Sequence, residues 1–279
     1  NGFGPRAVAL EFHDYCLLLD GDIGIASRSG AGEGAASQPI TAEQVIDRYQ
    51  AEGVDFLDGI KGGFRLALWD RREQRLLVAV DPFGTKSVYY FIKDGNLAVG
   101  AKLTDLARLP SFEREIDPNV LFFYLNHSFV PAPYSIYRGA RRLQPGQCLV
   151  WQDKSVKVKQ YWDIEYREDF TLNERALAAQ VYSGVEQALK FSTLDRHRQT
   201  AEIGAFLSGG TDSSTLVGLL ARIQPSPVKA FSVGFTEQAY NEIDYARIAA
   251  KHFGAEAHEY FVSADDALKA MPILAASFD

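Results

Sequence analysis

Apolar residues follow two different periods along this chain of 279 residues. Up to about residue 162, short apolar runs alternate with turn-forming residues, which is the pattern of antiparallel strands. These runs lie at residues 7–10, 16–19, 64–69, 76–80, 88–92, 97–100, 147–151 and 156–158. Two of them flank Asp94-Gly95, a strong hairpin signal. The pattern therefore predicts antiparallel sheet for this half of the chain.

Helical patterns interrupt the strands in two places. One covers residues 42–51, and the other covers residues 117–124, where Asp117 is the N-cap and Pro118 takes the first helical position. Residues 24–39 are instead rich in Gly, Ala and Ser without an apolar period, which predicts a loop. Antiparallel strands combined with helices predict an α+β layered domain over residues 1–165.

Helices and strands alternate in the second half of the chain. The predicted elements are helix 173–189, strand 203–207, helix 212–222, strand 228–233, a helix between Asn241 and Gly254, and strand 259–262. This order is typical of a doubly wound α/β domain, whose parallel sheet binds its ligand at the carboxyl ends of the strands. We place this domain at residues 172–279, after a charged linker over residues 163–171.

The composition is that of an ordinary globular protein, with 47% hydrophobic and 23% charged residues. A net charge of −7 argues against a nucleic-acid partner, and no apolar run is long enough for a membrane span. The two cysteines are far apart and the five histidines lack metal-ligand spacing, so neither a disulfide framework nor a zinc site is expected. Reduced thiols favour a cytoplasmic location. Since the chain begins with Asn1 and its only methionine is Met271, we expect a piece of a longer protein, with parts of both domains outside it.

Residues 208–214 read S-G-G-T-D-S-S and stand between a strand pattern and a helical pattern. A turn of small residues ahead of a helix presents backbone N–H groups that bind phosphate. Gly209 and Gly210 let the backbone approach the anion, and Asp212 suits a divalent cation on the phosphates. The turn has neither the Gly-Lys-Ser/Thr ending of a P-loop nor a G-x-G-x-x-G fingerprint. The plain alternative is a solvated turn that caps the helix, but the length of the motif favours a nucleotide site.

Several segments carry a resemblance to known enzymes. The 208–214 turn resembles the S-G-G-x-D-S signature of ATP pyrophosphatases, which split ATP into AMP and pyrophosphate. Residues 62–70 (G-G-F-R-L-A-L-W-D) resemble the asparagine synthetase segment G-M-F-A-F-A-L-W-D, and residues 81–90 (D-P-F-G-T-K-S-V-Y-Y) resemble D-R-F-G-I-K-P-L-Y-Y. Further similar segments lie at 130–133, 143–146, 231–235 and 240–242. In order along nearly the whole chain, they resemble the glutamine-dependent asparagine synthetases.

This resemblance implies a fold and an activity. The fold is an N-terminal-nucleophile-type α+β sandwich with glutamine amidotransferase ancestry, followed by an ATP-pyrophosphatase-type synthetase domain. The activity is an AMP-forming amide ligase that uses ATP and Mg²⁺. Aspartate is activated as an acyl-adenylate, and ammonia, free or released from glutamine, displaces AMP. The chain alone is not expected to complete this reaction.

The resemblance also assigns nucleotide-binding residues. Leu207 and Val233 would line the adenine–ribose site and Gly234 would also bind the cofactor, although Leu207 and Val233 are equally well interpreted as ordinary buried strand residues. The phosphates and Mg²⁺ would be held by the turn residues Ser208, Gly209, Gly210, Asp212 and Ser213, with Asp212 as the metal-binding residue.

The glutaminase half departs from the family pattern. The family's nucleophile is an N-terminal cysteine, and this chain has none there, so no catalytic residue is assigned. Where the family has N-G-E-I, this chain has Asp20-Gly21-Asp22-Ile23, and a carboxylate repels a developing oxyanion. Thr41 stands where an aspartate of the family binds the amine of glutamine. We therefore predict a degenerate glutamine site at Asp20, Gly21, Asp22 and Thr41.

Two other readings stay open at this point. A related ligase of the β-lactam synthetase or peptide-cyclase type would join another carboxylate to an amine. A non-enzymatic reading makes the N-terminal domain an interaction scaffold or a homodimer interface, for which an exposed aromatic run at residues 122–124 would be evidence. That run fits a buried helix face better.

Overall fold

The computed structural model describes residues 7–26, 37–166, 168, 170–193, 203–236 and 243–277. The chain divides into two compact units, Asn1–Phe170 and Thr171–Asp279. In the described residues no helix is both long and apolar enough to cross a membrane.

The first unit consists of short strands and three helices. Its strands are β1 (Ala7–Phe12), β2 (Tyr15–Gly21), β3 (Gly24–Ala26), β4 (Ser37–Pro39), β5 (Ile60–Lys61), β6 (Phe64–Asp70), β7 (Arg75–Val80), β8 (Tyr89–Lys93), β9 (Asn96–Gly100), β10 (Ala140–Arg142), β11 (Gln147–Gln152) and β12 (Ser155–Gln160). Its helices are α1 (Ala42–Glu52), α2 (Leu103–Ala107) and α3 (Pro118–His127), with a 3₁₀ segment at Gly53–Gly59.

These elements stack as helix, sheet, sheet and helix. The main antiparallel sheet has six strands in the order β1-β2-β6-β7-β11-β12, and a second sheet has the order β10-β8-β9. Helix α1 packs on the outer face of the main sheet through Val45 and Ile46. The inner face packs on the second sheet, where Val78 and Leu149 meet residues of β8 and β9. Helix α2 then covers the far side of the second sheet around Phe91.

Strand β6 is a central strand of the main sheet and is covered on both faces. Its burial alternates strictly between buried and half-buried positions. Phe64, Leu66 and Leu68 belong to the cluster under α1. Because successive side chains point to opposite faces, Arg65 and Ala67 lie on the side of the second sheet. A charged residue is thereby placed between two sheets.

Two local predictions are confirmed in the first unit. Asp94 and Gly95 have φ angles of 52° and 75°, the left-handed conformation that a tight hairpin turn requires. Asp117 caps α3 by accepting a hydrogen bond from the Asn119 N–H at 3.0 Å, with Pro118 as the first helical residue.

The second unit is built around three parallel strands. Its elements are α4 (Glu174–Thr193), β13 (Gly204–Phe206), α5 (Thr211–Ile223), β14 (Lys229–Phe235), α6 (Ile243–Phe253), β15 (Glu256–Val262) and α7 (Ala264–Ser277). The sheet order is β13-β14-β15 and both pairings are parallel, as predicted. Helices α5 and α6 pack on the same face around Val217, Leu220, Ala246 and Ala250. The opposite face of this sheet is open, with Val233 52% exposed.

Three sequence-based expectations need correction. Residues 24–39 are not a loop at both ends, because β3 and β4 pair there in the register Gly24↔Pro39. Ile25 of β3 packs against the core here, but the Gly-, Ala- and Ser-rich composition of the segment does not reveal the strands. The rest of the predicted loop, residues 27–36, and the predicted cap Asn241 lie outside the described residues. Helix α7 was not predicted, and it contains Pro272.

The third correction concerns the aromatic run of α3. A buried face was expected, yet Phe122 is 64% exposed and Tyr124 is 49% exposed. Val120 is the buried residue of this helix. The helix is apolar around most of its circumference, so its periodicity does not identify the buried side.

Neighbouring leucines on β2 test the buried outer face of the main sheet. Leu17 is fully buried, whereas Leu18 is 51% exposed. Leu17→Ala is expected to lower the free energy of unfolding by about 2–5 kcal/mol, since it leaves a cavity. Leu18→Ala is the matched control and should cost under ~1 kcal/mol. Urea unfolding followed by tryptophan fluorescence measures this unit, because all three tryptophans (Trp69, Trp151 and Trp162) belong to it. Equal losses would contradict the assignment of faces.

Candidate functional site

The 208–213 turn leaves the parallel sheet at the carboxyl end of its strands. Leu207 donates its N–H to the Phe231 carbonyl at 2.8 Å, and its own carbonyl accepts the Ser232 hydroxyl at 2.7 Å. Since Phe206 pairs with Phe231, the turn starts level with Ser232 and Val233 on the neighbouring strand. This is where open parallel sheets bind ligands.

Serine hydroxyls hold the turn against the start of α5. The hydroxyls of Ser208 and Ser213 lie 3.1 Å apart, and Gly210 donates its N–H to the Ser208 hydroxyl at 3.4 Å. Ser213 in turn donates to the Gly210 carbonyl at 3.2 Å. Several donors are thus grouped at one short, ordered turn.

Gly209 is required by the geometry of this turn. Its φ is +85°, and an added Cβ would lie 2.4 Å from the Tyr245 carbonyl carbon and 2.5 Å from the Ala246 nitrogen. The turn therefore lies directly against the backbone of the first turns of α6. A side chain at this position would be strained by its φ and would collide with backbone atoms.

The beginning of α5 is suited to an anion. Gly210 is the N-cap and makes no side-chain capping hydrogen bond. The first-turn N–H groups have no intrahelical acceptor, and the helix dipole adds positive potential there. The Ser214 hydroxyl is buried without a hydrogen-bond partner. The first-turn N–H groups fit phosphate oxygens, whereas the buried Ser214 hydroxyl is not accessible to a ligand in this arrangement.

Asp212 lies in the first turn of α5 and is exposed. A carboxylate at this place repels a bare anion, but it suits a Mg²⁺ ion carried by phosphates. Among the described residues, no group of three or more His, Cys, Asp and Glu side chains lies close enough to hold a metal. Phosphate oxygens and water would therefore have to supply the other ligands.

The structure separates the residues proposed for the adenine–ribose site. Leu207 is 2% exposed and packs in the core under the helices, so only its backbone is available to a ligand. Val233 is 52% exposed on the open face, and the adjacent Gly234 is buried. The roles of these three residues stay predictions, as does the phosphate role of the turn.

Asp20 in the first unit sits in a cluster of charges. It lies directly opposite Arg65 across the β2–β6 pair. Its Oδ2 is 2.6 Å from a guanidinium nitrogen of Arg65, and its Oδ1 is 3.3 Å from Lys86 Nζ. We call Asp20, Arg65 and Lys86 the Asp20 cluster. The sequence pattern did not identify Arg65 and Lys86 as partners of Asp20. The contact between Asp20 and Arg65 depends on the register of β2 and β6, which pairs these two residues.

Arg65 is anchored by more than Asp20. Its Nη1 donates to the carbonyls of Ser87 at 2.9 Å and Ala101 at 3.3 Å. The guanidinium therefore joins the main sheet to the segments that flank the second sheet.

Lys86 is positioned by the buried carboxylate of Asp81. This carboxylate accepts hydrogen bonds from the N–H groups of Phe83, Thr85 and Lys86 at 3.0–3.2 Å, and from the Thr85 hydroxyl at 2.7 Å. The turn is held rigidly enough to present Lys86 to Asp20.

The other members of the predicted glutamine site have local structural roles. Gly21 has φ +109°, and an added Cβ would lie 2.1 Å from the Gly63 carbonyl oxygen. Asp22 is exposed and donates its N–H to the same carbonyl at 3.2 Å. Thr41 is the N-cap of α1 and forms a capping box with Gln44. Ile40 bonds to Ile23, which brings the Thr41 segment beside the 20–23 turn.

The cysteines offer no alternative nucleophile in this region. Cys148 is fully buried in the main sheet. Burial raises the pKa of its thiol, which keeps it protonated. Cys16 is half-buried and unpaired.

Comparison with known proteins decides the family. The asparagine synthase family model matches residues 184–279, and the glutamine amidotransferase domain model matches residues 35–162. A Mycobacterium tuberculosis protein named among the glutamine-hydrolysing asparagine synthetases is 33% identical over 236 residues. The chain belongs to the asparagine synthetase family. That family consists of carbon–nitrogen ligases, and its amidotransferase part agrees with the N-terminal-nucleophile-type layers of the first unit.

Other relatives extend the comparison. Asparagine synthetase 1 of Bacillus subtilis is 28% identical over 99% of this chain, and the amidase chyE of Penicillium rubens is 28% identical over 77%. The chain covers only part of these proteins: 36% of the mycobacterial one, 43% of the Bacillus one and 34% of the amidase. The 208–213 turn falls within the synthase match, whereas Asp20 precedes the amidotransferase match.

The contact between Gly209 and α6 generates a prediction. Gly209→Ala is expected to cost at least ~1–3 kcal/mol, because the turn must move away from Tyr245 and Ala246. Gly210→Ala is the control, since the nearest atom to its added Cβ is the Ser208 hydroxyl at 3.5 Å. Hydrogen exchange measured by mass spectrometry over residues 203–223 should accelerate strongly for Gly209→Ala and little for Gly210→Ala. The same exchange rates in both variants would contradict the close approach.

Proposed function

We propose that this chain carries the nucleotide-binding part of an ATP-dependent, AMP-forming amide ligase of the asparagine synthetase type. The observation that supports it is the 208–213 turn, with grouped donors at a helix start and at the carboxyl ends of parallel strands. In the proposed reaction, aspartate, ATP and ammonia give asparagine, AMP and pyrophosphate; where glutamine supplies the ammonia, its hydrolysis by water also gives glutamate. The whole reaction is proposed for the full-length protein, because the chain spans only about a third of its mycobacterial relative.

Each part of the turn has a task in this proposal. A carboxylate is a poor electrophile, and transfer of AMP to it creates a good leaving group. The N–H groups at the start of α5 and the hydroxyls of Ser208 and Ser213 would bind the β- and γ-phosphates, which leave as pyrophosphate. When bound, Mg²⁺ neutralises phosphate charge, and Asp212 would hold it. Val233 would contact the nucleoside from the open side of the sheet.

The glutaminase site is proposed to be degenerate. An oxyanion needs hydrogen-bond donors, and Asp20 brings an acceptor to that position. The Thr41 hydroxyl is engaged at the N-terminus of α1, accepting the Gln44 N–H at 3.3 Å. Free ammonia is therefore the proposed nitrogen source. The proposed cofactors are ATP and Mg²⁺.

A second candidate uses the same chemistry on other substrates. In a ligase of the β-lactam synthetase or peptide-cyclase type, an amine of the substrate replaces ammonia. Such a ligase needs no glutamine hydrolysis, so the Asp20 cluster would be equally compatible with it. The exposed aromatic run of α3 supports a further scaffold or homodimer role for the first unit, alongside either reaction.

Magnesium-dependent nucleotide binding tests Asp212. In the 279-residue chain, Asp212→Ala is expected to weaken Mg²⁺–ATP binding about 10- to 100-fold, because a charged ligand of the metal is lost. A fluorescent ATP analogue measures this affinity, and the difference should disappear in EDTA. Asp265→Ala is the control, as Asp265 is an exposed acid in the first turn of α7. Equal affinities for the two variants would remove Asp212 from the site.

The nitrogen source is tested in the full-length protein. With ATP, Mg²⁺ and aspartate, AMP and asparagine are expected with ammonium, whereas glutamine should give neither product and no glutamate. Glutamine-dependent turnover would show an active glutaminase and contradict the degenerate site. No AMP with either nitrogen source would exclude aspartate and direct the assay to other carboxylates.

A further inference from the structure

The Asp20 cluster places opposite charges where the main sheet meets the segments of the second sheet. We propose that Asp20 and Arg65 are one energetically coupled pair, the centre of an ion cluster that joins the two sheets of the first unit. The first unit then serves the ligase as a structural scaffold and not as a glutamine hydrolase. The scaffold role in a ligase rests on the proposed function, whereas the coupling of Asp20 and Arg65 rests on their contacts alone.

The charges of the cluster lie next to one another, and Asp20 Oδ2, which accepts no hydrogen bond, contacts Arg65 as an ion pair. Both oxygens of Asp20 face a cation, Arg65 on one side and Lys86 on the other. The Arg65 guanidinium also donates to two backbone carbonyls. The Asp20 side chain is 7% exposed and that of Arg65 is 22% exposed. Little charge is left over for the carboxylate or the ammonium group of an amino acid.

Asp20 and Arg65 are direct cross-strand partners on β2 and β6. This register sets the two opposite charges side by side, with 2.6 Å between Asp20 Oδ2 and a guanidinium nitrogen of Arg65.

Burial makes the two charges interdependent. Removing one partner of a buried ion pair leaves an uncompensated charge in a poorly solvated place, which is strongly destabilising. Replacing both with neutral residues removes that penalty. Arg65 also ties the main sheet to the segments around Ser87 and Ala101, so its loss weakens the contact between the layers.

A double-mutant cycle on the full 279-residue chain tests the coupling. The variants are Asp20→Asn, Arg65→Ala and both together, and urea unfolding is followed by tryptophan fluorescence. Each single change is expected to raise the unfolding equilibrium constant about 100-fold or more. The double variant should fall well below the product of the two effects, by a factor of at least ~10.

Glu115 and Arg138 provide a matched control pair. Their side chains form an ion pair of 2.7 Å and are both 56% exposed. Glu115→Gln and Arg138→Ala should each change the unfolding constant less than about 5-fold, and their effects should multiply without coupling. This control shows whether the coupling measured for Asp20 and Arg65 comes from their burial or would be found for any ion pair between two segments.

Each outcome of the cycle either supports or overturns the coupling of Asp20 and Arg65. Multiplicative effects of Asp20→Asn and Arg65→Ala would overturn the coupled pair. If both single variants fail to fold, a folded double variant supports the coupling and an unfolded one overturns it. Binding of glutamine to the unmodified chain at millimolar concentration, detected by saturation-transfer NMR, would overturn the scaffold role. None of these readouts uses ATP or turnover, so failure of the proposed ligase reaction would be seen separately.

Discussion

The central strands of the main sheet in the first unit are covered on both faces, and the rest of that unit is arranged around this constraint. Helix α1 covers one face and the second sheet covers the other. Any polar side chain that points between the sheets must find its partners there. Asp20 and Arg65 meet this requirement through each other and through backbone carbonyls. The same burial that stabilises the fold therefore determines which side chains are available to a ligand.

In the second unit, the close contact between the 208–213 turn and α6 depends on Gly209. Parallel strands and the helices between them bring the 208–213 turn against α6. The gap is so small that no Cβ fits at Gly209. The first N–H groups of α5 have no acceptor within the helix, and backbone groups of this kind can bind an anion with the help of few side chains.

Strong local signals predicted much of this structure. The Asp94-Gly95 hairpin, the capped start of α3 and the βαβαβ order of the second unit depend on neighbouring residues, and all three are present. Signals that depend on distant contacts were missed or misread. The β3–β4 pair packs Ile25 against the core within a segment rich in small residues. The aromatic run belongs to α3, which is apolar around most of its circumference, so its periodicity did not identify the covered side.

The sequence by itself determined the local turn at residues 208–214, since adjacent glycines and serines ahead of a helical pattern specify it. It also predicted a degenerate glutamine site at Asp20 and Thr41. Only the tertiary structure decided where these two residues lie: it placed Arg65 opposite Asp20 and made Thr41 a helix cap. The reason is physical. A backbone turn is encoded by residues next to one another, whereas the partner of a buried charge is chosen by the register of strands that lie far apart in the chain.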